Sequence, residues 1–300
     1  MADSPVRRLL IVHAHPDDET IGTGATMAKY ASEGTAVTLV TCTLGEEGEI
    51  LVPGLEHLAA DKDDTLGQFR IAELNAACDV LGVADHRFLG GAGRWRDSGM
   101  IGTPENENPQ CFWRADFDEL TAAMVAVIRE VRPQVVATYD ENGAYGHPDH
   151  IQANRVTVAG VEKAADPTYR PELGKPWTVS KLYWTAIPKS VLAEGMRIMR
   201  EAGHDFLQAD DVEELPMGTP DKLVTTAVDG SEFLPKKIAA MKAHATQIAA
   251  DGPFFALADG VGQNAFGVEF YQLVRGAAVP AEGVTDDLPW RERDLFAGVS

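Results

Sequence analysis

Short apolar runs alternate with amphipathic stretches along the first half of the chain. Residues 8–14 and 36–43 are continuous apolar runs of strand length. Between them, 21–32 has the pattern of a helix, which Gly34 ends. The order of strand, helix and strand predicts a βαβ unit, and therefore a parallel sheet with a right-handed crossover.

The same alternation continues to about residue 165. Further helices are predicted over 63–81, 117–131 and 151–164, and further strands over 87–89 and 135–139. Two long loops, 44–58 and 90–114, each follow a strand, and loops of that length in a compact domain are usually functional. Beyond 165 the pattern is less regular: a strand is predicted over 181–187 and helices over 188–202 and 235–250, whereas 267–273 is ambiguous.

These elements predict an α/β fold with a Rossmann-like, mostly parallel sheet flanked by helices. We expect a catalytic core with the metal site in residues 1–165. We expect a smaller, irregular C-terminal α/β part in residues 166–300, which helps to form the substrate pocket.

Composition and charge limit the classes of binding partner that we expect for this chain. Its 300 residues are 45% hydrophobic and 24% charged, which are values of a globular protein. Lys and Arg number 26 against 46 Asp and Glu, so the net charge is −20 and phosphate is repelled. We therefore expect no nucleic acid and no membrane as a partner. No signal peptide or transmembrane stretch is recognisable and the three cysteines form no C-x-x-C pair, so we expect a cytoplasmic protein with free thiols.

Two His-Pro-Asp clusters carry the candidate chemistry. One is His15-Pro16-Asp17-Asp18-Glu19, after the first strand, and the other is Tyr145-Gly146-His147-Pro148-Asp149-His150, after the strand over 135–139. Ligands of open α/β sheets bind outside the carboxyl ends of the strands, so both clusters lie where a site is expected. Two histidines and one carboxylate are a common catalytic zinc set, and iron(II) takes the same ligand types.

The two clusters resemble the motifs of the PIG-L/LmbE-like family of zinc-dependent N-deacetylases. The likeness covers most of 7–165 and includes the stretches TCTLGEEGE at 41–49, GGAGRWRDSGM at 90–100, Tyr139-Asp140 and AHATQ at 243–247. The 90–100 stretch is similar to the mycothiol branch of the family, which removes acetyl from N-acetylglucosaminyl-inositol. The resemblance implies an LmbE-like fold, a metal-dependent amide hydrolase and a small amino-sugar inositol substrate. It also implies one divalent metal per subunit, zinc ahead of iron(II), and it allows a homo-oligomer.

Carried over by position, the resemblance implies a role for each candidate residue. It implies metal ligands at His15, Asp18 and His150. It implies a catalytic set in which Asp17 is the general base, His147 the acid or oxyanion partner, Tyr145 a further oxyanion donor and Asp149 the residue that orients His147 or a ligand. It implies contacts with the sugar and inositol hydroxyls for Arg70, Asp97, Glu49 and Gln247.

Each assignment has a plainer alternative. The carboxylates Asp17, Asp18 and Asp149 are candidate helix caps, Arg70 is a candidate ion-pair partner of Glu73, and Asp97 is a candidate turn residue. His147 is a candidate for a surface histidine or one that supports a ligand, Tyr145 is a candidate packing residue, and Glu49 and Gln247 are candidate solvated side chains. The histidines expected to have only structural or surface roles are His13, His57, His86, His204 and His244.

Two alternatives to deacetylation stay open, one enzymatic and one non-catalytic. The paralogous branch that cleaves mycothiol S-conjugates carries a Lys soon after Asp-Asp-Glu and a different glycine-rich stretch after the second strand. This chain has Gly22 and Leu-Gly-Glu-Glu-Gly-Glu there, and both departures favour the deacetylase. No G-x-S-x-G is present, and carboxylates crowd Gly22-Thr23-Gly24, which argues against a serine nucleophile and a dinucleotide. A non-catalytic carbohydrate-binding module is the alternative from another class.

Overall fold

The computed structural model describes residues 6–201, 203, 211–249, 266–279 and 292–299. The strands in these ranges are β1 (Arg8–His13), β2 (Ala36–Thr41), β3 (Asp85–Phe88), β4 (Val135–Thr138), β5 (Lys181–Ala186), β6 (Thr226–Asp229) and β7 (Val268–Arg275). The helices are α1 (Asp18–Ser32), α2 (Leu66–Leu81), α3 (Phe117–Val131), the single turn α4 (Gly143–Gly146), α5 (Pro148–Ala165), α6 (Lys189–Glu201) and α7 (Leu234–Ala243). Short 3-10 turns lie at Glu56–Leu58, Pro104–Glu107, Phe112–Arg114, Pro171–Leu173, Val212–Glu214, Asp221–Leu223 and Ser231–Phe233.

The described strands form one mixed sheet in the order β3-β2-β1-β4-β5-β7-β6. Strands β1 to β5 are parallel, and β7 runs antiparallel to both β5 and β6. The predicted fold class, a mostly parallel α/β sheet flanked by helices, is confirmed.

Strand β1 is apolar from Leu9 to Val12 because helices cover both faces of the sheet. Leu9 and Ile11 pack in one buried cluster with side chains of α1, α2 and α7. Leu10 and Val12, which alternate with them, pack in a second cluster with side chains of α3 and α5. The continuous apolar run in the sequence therefore describes a doubly covered strand.

The strand order reverses beside β1, and this reversal fixes the place of the site. The chain moves from β1 outward through β2 and β3, then returns to place β4 on the other side of β1. Loops that leave the carboxyl ends of β1 and β4 diverge there and leave a crevice. The first His-Pro-Asp cluster follows β1 and the second follows β4, so both open into that crevice.

Several element boundaries differ from the predicted ones. Helix α3 begins and ends as predicted, but α1 and α5 begin three residues early, at Asp18 and Pro148, inside the two motifs. Helix α7 ends at Ala243 rather than near residue 250. The sequence pattern does not predict strand β6, since a run of four residues carries too little pattern, and the ambiguous stretch is the antiparallel strand β7.

The division of the chain after residue 165 stays a prediction. Strand β5, from the C-terminal part, pairs directly with β4 from the core, so the sheet continues across that boundary. The three cysteines are buried and free, as expected. Within the described ranges, no helix combines the length and the apolar character needed to cross a bilayer.

Candidate active site

Asp18 lies between the other two predicted metal ligands in the crevice. Oδ2 of Asp18 lies 3.3 Å from Nδ1 of His15 and 3.4 Å from Nε2 of His150. Tetrahedral ligands at about 2.0–2.1 Å from a zinc ion lie about 3.3 Å from one another, so Asp18 has a suitable spacing from each of the two histidines. Both ring nitrogens of His150 are buried and have no hydrogen-bond partner among the described residues, which leaves a lone pair for an ion.

The electrostatics of the crevice favour a cation. Burial opposes a charge on Asp18, but His150 and His15 beside it hold the pKa of its carboxyl well below the usual value. Burial likewise opposes a charge on His15, yet Asp97, Asp149 and Asp18 together raise the pKa of its imidazole. The crevice thus concentrates carboxylate charge around one imidazole.

Two sets of donor atoms in the described part of the chain lie within 4.8 Å of one another: His15, His147 and His150, and His15, Asp97 and Asp149. The predicted set with Asp18 is not one of these two, although Asp18 lies close to each of its histidines. The second set is already satisfied by the protein. Oδ2 of Asp149 lies 3.3 Å from Nε2 of His15 and accepts the Ser98 backbone N–H at 2.9 Å, and the side chain is fully buried. Carboxylates of this kind orient a metal-ligating histidine from behind.

Asp149 therefore lies against His15 rather than capping its helix. The cap of α5 is His147, whose Nδ1 accepts the Asp149 N–H at 3.1 Å. Ser98 also donates its hydroxyl to Oδ1 of Asp149, so the long loop over 90–114 fixes the orientation of this carboxylate.

Tyr139, to which the sequence pattern assigns no role of its own, supports two of the candidate ligands. Its hydroxyl donates to Oδ2 of Asp18 at 2.7 Å and accepts the Ala14 N–H at 2.8 Å. Its ring stacks on His150 with centroids 4.2 Å apart. The position of Tyr139 at the end of β4 is the signal that could have indicated this.

Asp17 lies beside the ligands without capping α1, because its side chain makes no cap hydrogen bond. Oδ2 of Asp17 lies 3.2 Å from Nη2 of Arg70. Burial raises the pKa of Asp17 to about 6, Arg70 opposes that change and Asp18 adds to it. A carboxylate with a pKa near 6 is suited to general-base chemistry near neutral pH.

Arg70 is buried and engaged by the protein. It is only 2% exposed, and it donates to the backbone oxygens of Gly45 at 2.7 Å and of Pro16. Gly45 has φ +67, and a Cβ there would lie 2.1 Å from Nη1 of Arg70, so only glycine admits the guanidinium. The alternative pairing of Arg70 with Glu73 is not formed, since Glu73 bonds Thr246.

The remaining predicted contacts surround the same crevice at different depths. Asp97 is 5% exposed; its Oδ1 accepts the Gly99 N–H at 2.9 Å, as in the turn alternative, and lies 3.5 Å from Nε2 of His15. Gln247 donates to Thr246 at 3.1 Å and lies against Gly48. Glu49 is exposed on the loop over 44–58.

His147 is buried and Tyr145 is exposed, with their ring centroids 6.2 Å apart. Burial lowers the pKa of His147 to about 3, and His15 and His150 add to this, so the imidazole is neutral. Because Nδ1 accepts the Asp149 N–H, the ring proton lies on Nε2. Tyr145 is exposed, with its ring edge-on to His150 at 5.0 Å. Gly143 has φ +62, and a Cβ there would lie 2.6 Å from that of His150, so glycine allows this loop to approach.

His244, which the sequence predicts to be a packing or surface histidine, is buried next to the first cluster. Its Nε2 lies 2.6 Å from Oε1 of Glu19, and both side chains are fully buried. Oε2 of Glu19 accepts the Asp17 N–H at 2.8 Å. His13 is structural, as expected, with Nε2 2.9 Å from the Thr23 hydroxyl. His204, for which a surface or packing role is predicted, lies outside the described residues.

A cavity of about 620 Å³ adjoins the crevice. Its wall includes Glu46, which accepts the Asp97 N–H at 3.0 Å, and Glu47, whose N–H donates to Asp97. Arg96 also lines it and pairs with Glu47 at 2.7 Å. A cavity of this volume accommodates a small ligand, and its carboxylates are acceptors for hydroxyl groups.

The comparison with protein families gives the class of this chain. The PIG-L family, described as GlcNAc-PI de-N-acetylase, matches residues 10–161, which include both His-Pro-Asp clusters. The chain belongs to that family.

The relatives narrow the comparison further. The chain is 61% identical over 298 residues to the 1D-myo-inositol 2-acetamido-2-deoxy-alpha-D-glucopyranoside deacetylase of Geodermatophilus obscurus, and 99% of each chain is covered. Among solved structures it is similar to N,N'-diacetylchitobiose deacetylase from Pyrococcus horikoshii, at a TM-score of 0.61 and 18% identity, over 91% of this chain and 85% of that one. It is also similar to GalB, the 4-carboxy-2-hydroxymuconate hydratase of Pseudomonas putida KT2440, at 0.60 and 21%, over 94% and 100%. Because a hydratase shares the fold, the fold alone does not define the reaction.

Proposed function

We propose that the chain hydrolyses the acetamide of N-acetylglucosaminyl-inositol to glucosaminyl-inositol and acetate, the deacetylation step of mycothiol biosynthesis, with one bound zinc ion. The observation that carries the proposal is the position of Oδ2 of Asp18, which lies within 3.4 Å of a ring nitrogen of both His15 and His150. The 61% identity over 298 residues with a deacetylase named for that substrate supports the choice of substrate. The cytoplasmic location expected from the sequence stays a prediction.

His15, Asp18 and His150 would hold the zinc ion. Zinc bound there supplies a Lewis acid that polarises the amide carbonyl and acidifies a water molecule. Asp149 fixes the ring of His15 from behind, and Tyr139 fixes the carboxylate of Asp18. These contacts keep the donor atoms directed into the crevice without a rearrangement when the ion binds.

Asp17 acts as the general base in this proposal. Its carboxylate is adjacent in sequence to Asp18 and is held by the Arg70 guanidinium, which keeps it out of the ligand set. It accepts the proton of the attacking water and then returns it toward the leaving amine. Arg70 is thereby assigned to the orientation of Asp17, although its predicted contact with the sugar stays a prediction.

His147 and Tyr145 serve the oxygen of the acetamide. The Nε2–H of a neutral His147 donates a hydrogen bond to the oxyanion that forms when water adds to the carbonyl. The Tyr145 hydroxyl is the second donor, from an exposed position at the mouth of the crevice. The neutral imidazole favours the oxyanion role of His147 over that of a protonated acid.

The inositol ring lies in the cavity beside Asp97. Carboxylate oxygens of Glu46 and Glu47 line that cavity and accept hydrogen bonds from hydroxyl groups. Gly48 also lines this cavity, and the side-chain amide of Gln247 lies against Gly48, where its oxygen is an acceptor for a hydroxyl group. A neutral, hydroxyl-rich ligand also agrees with the net charge of −20.

A comparison of two substrates tests this function. The zinc-loaded protein is given N-acetylglucosaminyl-inositol and, in a parallel assay, a mycothiol S-conjugate, and the free amine released from each is measured. We expect kcat/KM to be higher for the acetamide. A higher kcat/KM for the S-conjugate would assign the chain to the amidase branch. Release of amine from neither substrate would favour the non-catalytic carbohydrate-binding alternative.

A further inference from the structure

The backbone of Asp17 has a conformation that residues with a side chain rarely adopt. Its φ is 124° and its ψ is −36°. A residue in such a conformation persists only where its neighbours over-determine it. The Asp17 carbonyl accepts from the backbone N–H of Thr20 at 3.0 Å and from its hydroxyl at 2.8 Å. The Asp17 N–H donates to Oε2 of Glu19 at 2.8 Å.

Glu19 holds this N–H from within the protein. Its side chain is fully buried, and a buried carboxylate without a partner is very unfavourable. The partner is His244, whose Nε2 lies 2.6 Å from Oε1 of Glu19 and which is also fully buried. Each oxygen of Glu19 thus has its own donor: one is the Asp17 N–H, and the other is His244.

His244 reaches this point because α7 ends one residue before it. Thr246 is then fixed to Glu73 on α2 by two hydrogen bonds, 2.9 Å from its N–H and 2.7 Å from its hydroxyl. Glu73 lies one helical turn from Arg70, which contacts the carboxylate of Asp17. The same helix therefore holds the segment that carries His244 and the side chain of Asp17.

The buried pair of Glu19 and His244 is energetically unfavourable compared with apolar side chains in the same place. The other ring nitrogen of His244, Nδ1, is buried without a hydrogen-bond partner in the described part of the chain. Well-packed apolar side chains commonly match or exceed the stability that a buried ion pair provides. An orphaned nitrogen at a histidine bonded to Glu19 points to a function other than stability.

We propose that Glu19 and His244 are positioning residues for Asp17: His244 holds Glu19, and Glu19 holds the backbone of Asp17 in the conformation that directs its carboxylate to the reacting water. This inference rests on the proposed function of Asp17 as general base. It gives His244, a residue of the C-terminal part, a role in the reaction. His244 bonds Glu19 and not one of the candidate metal ligands.

Loss of His244 acts on Asp17 in two steps. Glu19 without its partner is no longer held in place, and the Asp17 N–H then loses its acceptor. The strained turn relaxes, and the Asp17 carboxylate moves from its place beside Asp18. Displacements of about 1 Å in a reacting group lower kcat by about 10²-fold.

The test compares His244→Leu with His244→Gln, whose amide nitrogen replaces Nε2 as a donor to Glu19. We expect His244→Leu to lower kcat by about 10²-fold with KM and zinc content nearly unchanged, and His244→Gln to restore most of the loss. The control is Lys237→Met on α7, the helix that precedes His244; it breaks the buried pair of Lys237 with Glu269 (2.8 Å). It should lower Tm and leave kcat unchanged.

A second background separates positioning from general damage. In Asp17→Asn the group to be positioned is already inactive, so His244→Leu should cause no further loss of kcat. If His244→Leu lowers kcat by the same factor in Asp17→Asn as in the wild type, the proposal is contradicted. An unchanged kcat in the single variant His244→Leu also contradicts it. If His244→Leu does not fold, Glu19→Gln takes its place in both backgrounds with the same expectations.

A substrate-free measurement keeps this inference separate from the proposed function. In protein labelled with ¹⁵N-aspartate, the Asp17 amide proton should be shifted downfield by its carboxylate acceptor. The resonance should move upfield in His244→Leu and stay in place in Lys237→Met. An amide resonance that does not respond to His244 contradicts the positioning role, whereas a wild-type protein without deacetylase activity contradicts only the proposed function.

Discussion

At the scale of single residues, the two neighbouring carboxylates Asp17 and Asp18 differ in their environment. Asp18 faces two imidazoles, which lower the pKa of its carboxyl, whereas burial raises the pKa of Asp17 to about 6. One carboxylate is therefore suited to a cation and the other to a proton. The two carboxylates have different partners: Arg70 pairs with Asp17, whereas His15 and His150 lie beside Asp18.

Asp17→Asn tests this division of roles. The amide cannot accept the proton of the attacking water, so we expect kcat to fall by about 10²- to 10⁴-fold. Zinc content should stay at the wild-type level, because this substitution removes no ligand. Both quantities are measured on the same preparation, by acetate release and by elemental analysis. Loss of zinc together with activity would make Asp17 a ligand.

His147→Ala distinguishes an oxyanion donor from a fourth ligand. His147 lies close enough to His15 and His150 to share an ion with them. If it donates to the oxyanion, kcat falls by about 10²- to 10³-fold and the affinity for zinc stays nearly constant. Competition with a chromogenic chelator measures that affinity. A large fall in zinc affinity would assign His147 to the ligand set.

At the scale of elements, the long loop over 90–114 acts as a support for the metal site. Ser98 donates its backbone N–H and its hydroxyl to Asp149, and the Trp113 N–H donates to the Ser98 hydroxyl at 2.9 Å. Asn106 donates to the Ser98 carbonyl at 2.5 Å. Hydrogen bonds within the loop therefore hold Ser98 in place, and Ser98 in turn holds the Asp149 carboxylate that orients His15.

Ser98→Ala should weaken zinc binding without removing a ligand. Loss of a partner behind a metal-ligating histidine typically lowers metal affinity by about 10- to 100-fold. The matched control is Ser190→Ala, which removes a similar serine-to-aspartate bond, to Asp221, at an exposed position on α6. Chelator competition should show the loss only in Ser98→Ala. Equal zinc affinities in the two variants would show that the loop does not support the site.

The sequence predicts the elements near the site better than the contacts between them. Both His-Pro-Asp clusters follow apolar strands, and the rule for parallel sheets places their side chains at one edge. The bond between His244 and Glu19 joins residues 225 positions apart, and a helical pattern that runs past Ala243 conceals the turn. Nothing local to Ser98 indicates Asp149 either, because loop contacts depend on packing rather than on periodicity.

At the scale of the whole molecule, a buried cluster fastens the C-terminal segment to the sheet. Glu292 bonds Lys181 at 2.5 Å, Tyr183 at 2.8 Å and the Thr226 hydroxyl at 2.9 Å. Lys181 and Tyr183 belong to β5, and Thr226 belongs to β6. The chain after β7 therefore returns to close the sheet at the side opposite the first strands.

Glu292→Ala should destabilise the fold strongly, because it leaves the buried ammonium of Lys181 without its partner. Removing one member of a buried pair costs about 3–5 kcal/mol. Glu194→Ala is the control: its pair with Arg197 is exposed, and such pairs contribute about 0–1 kcal/mol. Urea unfolding measures both. Similar midpoints for the two variants would contradict the role given to the cluster.

The central claim is that His15, Asp18 and His150 hold one ion on which acetamide hydrolysis depends. The most direct measurement adds zinc stepwise to protein stripped by a chelator and follows acetate release from N-acetylglucosaminyl-inositol. The account predicts no release from the stripped protein, then a linear rise that levels off at one ion per chain. Full activity in the stripped protein, or no release at any zinc level, would contradict it.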